Sequence, residues 1–195
     1  VERCGADAIV VEDPWGSTID IDKVEQALID NPDAKAIAFV HAETSTGTRS
    51  DVQALCGLAA KYDCLSIVDA VTSLGGIELE VDAWGIDAIY SGTQKCLSCV
   101  PGLSPVSFSE RAALSIRERK SKVQSWFLDL NLVMGYWGSD AKRSYHHTAP
   151  VNSLYALHES LLILQEEGLQ NAWDRHALNH EALVAGLETL GLKFV

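Results

Sequence analysis

Two side chains of opposite charge close apolar runs in this 195-residue chain. Asp69 terminates Leu65-Ser66-Ile67-Val68, and Lys95 follows Ile86 to Tyr90 across Ser91-Gly92-Thr93-Gln94. Each has a plain structural reading when taken alone. A carboxylate at the end of a buried strand is costly without a partner, and a helix cap or a bond to the turn Val71-Thr72-Ser73 would supply one. A single lysine after a strand is ordinarily solvated surface. The pair is more specific than either residue. If both runs are strands of one parallel sheet, Asp69 and Lys95 share an edge of it, with Ser91, Thr93 and Gln94 beside the lysine. A lysine to hold an aldehyde, a carboxylate to keep a ring nitrogen protonated, and hydroxyl and amide donors for a phosphate are what pyridoxal phosphate requires of a protein.

The elements that must position these groups appear as alternating patterns. Ala8-Ile9-Val10-Val11, Ala36 to Val40, Leu65 to Val68, Ile86 to Tyr90 and Val106 to Phe108 are apolar runs of strand length. Asp22 with Glu25 resembles a capping box for a helix with Val24, Ala27 and Leu28 on its apolar side. Val52, Leu55, Cys56 and Ala59 recur at helical spacing behind a cap at Ser50 or Asp51. This alternation predicts an α/β domain with a mainly parallel sheet flanked by helices. Such sheets place ligands at the carboxyl ends of their strands, where His41 to Gly47, Asp69 and Lys95 all fall. Further on, Leu154, Leu157, Leu161 and Leu164 mark one amphipathic helix, and a second runs from about Leu169 to Leu190. A break at Gly168 divides residues 1–168, a cofactor-binding large domain, from residues 169–195, the start of a smaller C-terminal α+β domain. The opening at Val1 and the strand-like close at Leu192-Lys193-Phe194-Val195 mark the chain as an expected piece of a longer protein.

Composition narrows the function classes. Apolar residues make up 47% and charged residues 22%, as in a globular protein. With 15 basic against 27 acidic residues the net charge is -12, a field that repels nucleic acid and anionic membrane. An anionic ligand would need strong local donors. Cys4, Cys56, Cys64, Cys96 and Cys99 are odd in number and mostly lie in apolar stretches. They read as small core hydrophobes in a reducing compartment. A cytoplasmic location is expected, or a peroxisome or mitochondrion in a eukaryote, with any peroxisomal signal lying beyond Val195.

Four ordered segments carry a resemblance: His41-Ala42-Glu43-Thr44-Ser45-Thr46-Gly47; Val68-Asp69-Ala70-Val71-Thr72-Ser73-Leu74-Gly75-Gly76; Ser91-Gly92-Thr93-Gln94-Lys95-Cys96-Leu97 with Pro101-Gly102-Leu103-Ser104; and Tyr145-His146-His147-Thr148-Ala149-Pro150. Together they resemble the class V aminotransferases, and within them the alanine–glyoxylate and serine–glyoxylate (serine–pyruvate) enzymes. The resemblance implies a pyridoxal-phosphate-dependent transferase of fold type I. Its ping-pong, Schiff-base reaction would carry an amino group from alanine or serine to glyoxylate or pyruvate. It implies that Lys95 is the Schiff-base lysine and proton shuttle, Asp69 the partner of the pyridine nitrogen, and Val71 a packing surface for one ring face. Thr44 would lie near the cofactor and Gln94 would contact its phosphate. Tyr145 and Thr148 would reach the phosphate of the neighbouring subunit, so a homodimer with shared sites is implied. Two groups that the family uses are not found here, an N-terminal Gly-rich phosphate loop with a stacking aromatic ring, and the arginine that grips the substrate carboxylate. None of Arg3, Arg49, Arg111, Arg117, Arg119, Arg143 or Arg175 stands at that position, so this piece by itself is expected to be inactive.

Other patterns compete. An aminoethylphosphonate or ureidoglycine transaminase would share the fold, as would a cysteine desulfurase-like lyase, which needs a catalytic cysteine on a mobile loop. His41 and Glu43 with Cys96 and Cys99 outline a zinc deaminase or thiol-metal binder, without the proline that should precede the first cysteine. Cys96-Leu97-Ser98-Cys99 has redox-motif spacing but follows a lysine instead of opening a helix. His146 and His147, adjacent on an extended segment, should point to opposite sides and so not act as paired metal ligands; no metal is expected. Trp126, Trp137 and Trp173 read as core or interface anchors.

Overall fold

A computed structural model describes residues 1–137 and 144–193. After a single 3-10 turn at Glu2–Cys4, the order is α1 (Ile21–Asp30), β1 (Ala36–Val40), α2 (Val52–Lys61), β2 (Leu65–Asp69), β3 (Ala88–Tyr90) and β4 (Val106–Phe108), followed by α3 (Glu110–Arg117), α4 (Leu130–Trp137), α5 (Val151–Glu167) and α6 (Leu169–Thr189). The four strands form one sheet in the order β1-β2-β3-β4. The first two pairings are parallel and β3–β4 is antiparallel, so the expected mainly parallel α/β sheet is present.

Local chemistry explains the helices. Asp51 caps α2 by accepting the Ala54 N–H at 2.9 Å. Val52, Leu55, Cys56 and Ala59 all turn inward along α2, at the spacing one helical face demands. Val52 and Cys56 join Val68, Ala70, Ile86 and Ile89 in the main core, with Phe39, Leu74 and Trp84 packed around it. The cap of α1 differs from the expected box. Asp20, two residues earlier, accepts the N–H groups of Asp22 and Lys23, and Glu25 instead accepts from Lys61 and Tyr62. That bond ties α1 to α2, so a tertiary partner outcompetes the local one.

Three expected strands change. Ala8 to Val11 forms no ladder and Val10 is 72% exposed; an apolar run becomes a strand only where an edge pairs with it, and no described strand does so here. Ile86 and Asp87 precede β3 instead of belonging to it, because the Asp87 backbone is engaged elsewhere. Its N–H donates to Ser66 Oγ at 2.9 Å and its carbonyl accepts from Ser109 N at 2.7 Å. Leu192 turns back to donate to the Leu187 carbonyl, and the rest of the predicted strand, residues 194–195, lies outside the described residues.

α5 and α6 meet at Gly168, whose φ of 84° lies in the left-handed region. Arg175 folds back across this break onto Glu167 with two bonds of 2.5 and 2.8 Å. Among the described residues, no helix is long and apolar enough to cross a membrane.

The buried Asp87 carboxylate laces the sheet to α3. It accepts from Ser66 N at 3.0 Å, Ser109 Oγ at 2.8 Å, and Arg111 Nε and Nη2 at 3.3 and 3.0 Å. Burial alone would raise its pKa, but these donors outweigh that and hold it below the usual carboxylate range. Replacing Asp87 with Ala would leave the buried Ser66 N–H unpaired, while the half-exposed Arg111 guanidinium keeps Asp63 and the Cys64 carbonyl. The expected loss is about 1–3 kcal/mol of stability, read as a lowered urea midpoint with an unchanged m-value.

Candidate active site

The parallel register sets three residues abreast at the carboxyl ends of the strands: Val40 pairs with Asp69, and Asp69 with Tyr90. Every loop that leaves this edge carries polar side chains. The Asp69 carboxylate is fixed by two donors, Val71 N to Oδ1 at 2.8 Å and Tyr90 Oη to Oδ2 at 2.7 Å. Loss of solvent, then the bond to Asp69 and its negative charge, push the Tyr90 phenol up to about 12. Tyr90 was not among the sequence-predicted residues. Its signal was available, because two parallel strands that end together bring their last residues side by side.

Lys95 lies in the long connection between β3 and β4, with an exposed side chain that makes no ion pair among the described residues. The backbone around it is well pinned. Ser91 N bonds to the Pro105 carbonyl at 2.9 Å and Ser91 Oγ to the Ala70 carbonyl at 2.9 Å. Buried Thr93 donates its hydroxyl to the Val100 carbonyl at 2.6 Å, and Ser98, at φ 55°, closes a turn onto the Lys95 carbonyl. Cys96 donates its thiol to the Thr72 carbonyl at 3.3 Å. A Cβ on Gly76 would come within 2.5 Å of the Cys96 sulfur, so only glycine admits this approach. The Asp69 loop and the Lys95 loop are thereby locked together.

The remaining candidates fall into two groups. Val71 is half-buried and supplies the backbone donor to Asp69, while Thr44 and Gln94 are exposed on the loops after β1 and β3. Thr72 ties the Asp69 loop to the β1 loop by donating to the Ala42 carbonyl. Tyr145 and Thr148 stand apart on the segment before α5, both exposed, with their hydroxyls 2.7 Å from each other. No hydrogen bond among the described residues joins them to Asp69 or Lys95.

One expectation about histidines and one about tryptophans need correction. His146 and His147 do not diverge; their Nδ1 atoms lie 2.8 Å apart, and buried His146 stacks on Trp126 at 4.3 Å. The aromatic surroundings turn both rings inward, overriding the alternation of an extended chain. Trp126 and Trp137 are 60% and 68% exposed, so they are not core residues of this chain. Trp173 is half-buried. The zinc-like set does not assemble either. His41 packs edge-on against Trp84 at 5.9 Å, Cys96 bonds to Thr72, and no metal-ligand cluster forms among the described residues. Arg143 lies outside the described residues.

The amino-acid pattern matches the model of the aminotransferase class-V family over residues 1–193. The chain belongs to the class V aminotransferases. It is 41% identical to an alanine–glyoxylate aminotransferase of Oryctolagus cuniculus over 194 residues, which cover 98% of this chain and 49% of the relative. It is 36% identical to a (S)-ureidoglycine–glyoxylate transaminase of Bacillus subtilis over 98% of this chain and 50% of the relative. The crystal structure of an alanine–glyoxylate aminotransferase from Nostoc sp. superposes with a TM-score of 0.93 at 45% identity, covering 98% of this chain and 50% of that one. The chain thus spans about half the length of these relatives. Class V aminotransferases are pyridoxal-phosphate-dependent, and the α/β fold described above is that of the family. Members are generally dimers acting on small amino acids. The donor set fits the cofactor: a primary amine, an anchored carboxylate with unused lone pairs, and hydroxyl and amide groups surround one sheet edge.

His41, just after β1, is a buried histidine. Its Nδ1 has no hydrogen-bond partner among the described residues, and loss of solvent, then the charge of Arg49, lower its pKa to about 4. Between about 4 and 6.5 the unfolded chain would bind a proton that the native state refuses. Stability is therefore complete above that window and falls as pH drops through it, by roughly 2–3 kcal/mol. Urea midpoints at pH 7 and 4.5 should show a smaller acid loss in His41→Phe than in the parent.

Proposed function

We propose that the protein containing this chain is a transaminase that moves an amino group from alanine or serine to glyoxylate, or to pyruvate, in two half-reactions. The observation that carries this is the locked pair of loops holding an anchored Asp69 and an unpaired Lys95 at one sheet edge. Glyoxylate has the better support as acceptor, because both named relatives share it while their donors differ. The ureidoglycine relative makes ureidoglycine the rival donor.

When bound, pyridoxal phosphate supplies an aldehyde that exchanges for the amino group and a ring that accepts the electron pair left at Cα. Lys95 would hold that aldehyde covalently, and its Nζ, once free, would take the Cα proton and return it. Asp69 would hold a proton on the ring nitrogen, and Val71 would pack against the ring. Thr44 and Gln94 furnish hydroxyl and amide contacts, neutral donors suited to an acidic chain. Tyr145 and Thr148, whose hydroxyls are bonded to each other at 2.7 Å, would reach the phosphate of a partner subunit in a homodimer. Residues 1–168 would form most of the large domain and residues 169–195 the beginning of the small one. Five unpaired cysteines go with a reducing, cytoplasmic setting.

Borohydride reduction of the full-length, cofactor-loaded protein should leave a pyridoxyl adduct on Lys95, mapped by mass spectrometry; a folded protein without it would sink the assignment. Lys95→Ala should lower turnover by about 10³-fold or more. Co-refolding Lys95→Ala subunits with Tyr145→Phe/Thr148→Val subunits tests the shared site. Activity should partly return, since mixed dimers contain one site with every native residue. No recovery would place Tyr145 and Thr148 in their own subunit's site or outside any site.

A further inference from the structure

We propose that Tyr90 is a positioning residue that holds the Asp69 carboxylate at the angle the cofactor's ring nitrogen requires. This inference rests on the reading of Asp69 as the partner of that nitrogen.

Tyr90 is the last residue of β3 and the registered neighbour of Asp69, the last residue of β2. Paired positions in a parallel ladder project to the same face, so the phenol meets the carboxylate across the strands, at 2.7 Å. The Asp69 carboxylate torsion joins an sp³ to an sp² carbon, a rotation with a broad minimum, so one donor alone fixes it poorly. Val71 N–H takes Oδ1 and Tyr90 Oη takes Oδ2, and two donors on different oxygens define the plane. Each oxygen keeps a further acceptor site for a ring N–H. Tyr90 is itself held. Its carbonyl accepts from Ala70 N at 2.9 Å, and the next residue, Ser91, returns its hydroxyl to the Ala70 carbonyl. With its pKa at about 12, the phenol stays a donor through the neutral range. A purely structural role would be carried by the ring, yet Tyr90 is 41% exposed and its ring contributes little to the core.

The test uses the full-length protein. In Tyr90→Phe, the dissociation constant for pyridoxal phosphate, from equilibrium dialysis, should rise about 3–10-fold. That is the cost of ordering one side chain on binding. The ¹⁵N resonance of ring-labelled cofactor should shift from its parent position, while the melting temperature of the cofactor-free protein stays the same. Asp69→Asn should produce larger changes in both cofactor readouts. Parent-like affinity and resonance in Tyr90→Phe, with Asp69→Asn impaired, would overturn the role of Tyr90 and leave that of Asp69 intact. If Asp69→Asn is also parent-like, the reading of Asp69 fails and takes this inference with it. A lowered melting temperature in cofactor-free Tyr90→Phe, with affinity unchanged, would make Tyr90 structural and likewise overturn the proposal.

Discussion

The site depends on one constraint, the parallel register that ends β1, β2 and β3 on a common line. Val40, Asp69 and Tyr90 are abreast because their backbones are hydrogen-bonded in step. A slip of one residue would turn each side chain to the opposite face. It would separate Tyr90 from Asp69 and move Val68 out of the core that sets the register. The same burial that stabilises the sheet therefore aligns the carboxylate and the lysine loop. The packing of Val68 and Ile89 fixes where Asp69 and Tyr90 stand.

A second level of organisation lies in how the loops are tied. The Asp69 loop is pinned to the β1 loop through Thr72 and Ala42, and to the Lys95 loop through Cys96, Thr72 and Gly76. Side chains to main-chain carbonyls make these ties, which hold irregular backbone without needing apolar burial. The cysteine with redox-motif spacing thus has a structural use. Its thiol is spent on the Thr72 carbonyl, and burial pushes its pKa up, which makes it less reactive. Electrostatics follow the same economy. A chain of net charge -12 carries hydroxyls, amides and one lysine on the loops at this edge, without a field of cations.

The aromatic group around His146 shows the limit of local rules. Trp126 and Phe127 from one stretch of chain and Tyr136 from another converge on two adjacent histidines, and Tyr145 packs on Tyr136. Much of this group is exposed, with Trp126, Phe127 and Tyr145 all more than half open to solvent.

Some features were legible because they are set by near neighbours. The runs at Ala36, Leu65 and Val106, the helical spacing of Val52, Leu55, Cys56 and Ala59, the cap at Asp51 and the break at Gly168 follow from side-chain periodicity and capping chemistry within a few residues. Four ordered motifs disclosed the family, with Asp69 and Lys95 its clearest members. Long-range competition decided the rest. Ala8 to Val11 lacks a pairing edge among the described residues, Glu25 is drawn from a cap to Lys61, Asp87 leaves the ladder for Ser66 and Ser109, and Tyr90 finds Asp69 only across two registered strands. The sequence by itself determined the periodicity and caps of most elements and which residue types are available. The tertiary structure decided which of them meet, because a hydrogen bond between residues twenty-one positions apart exists only once the sheet has paired.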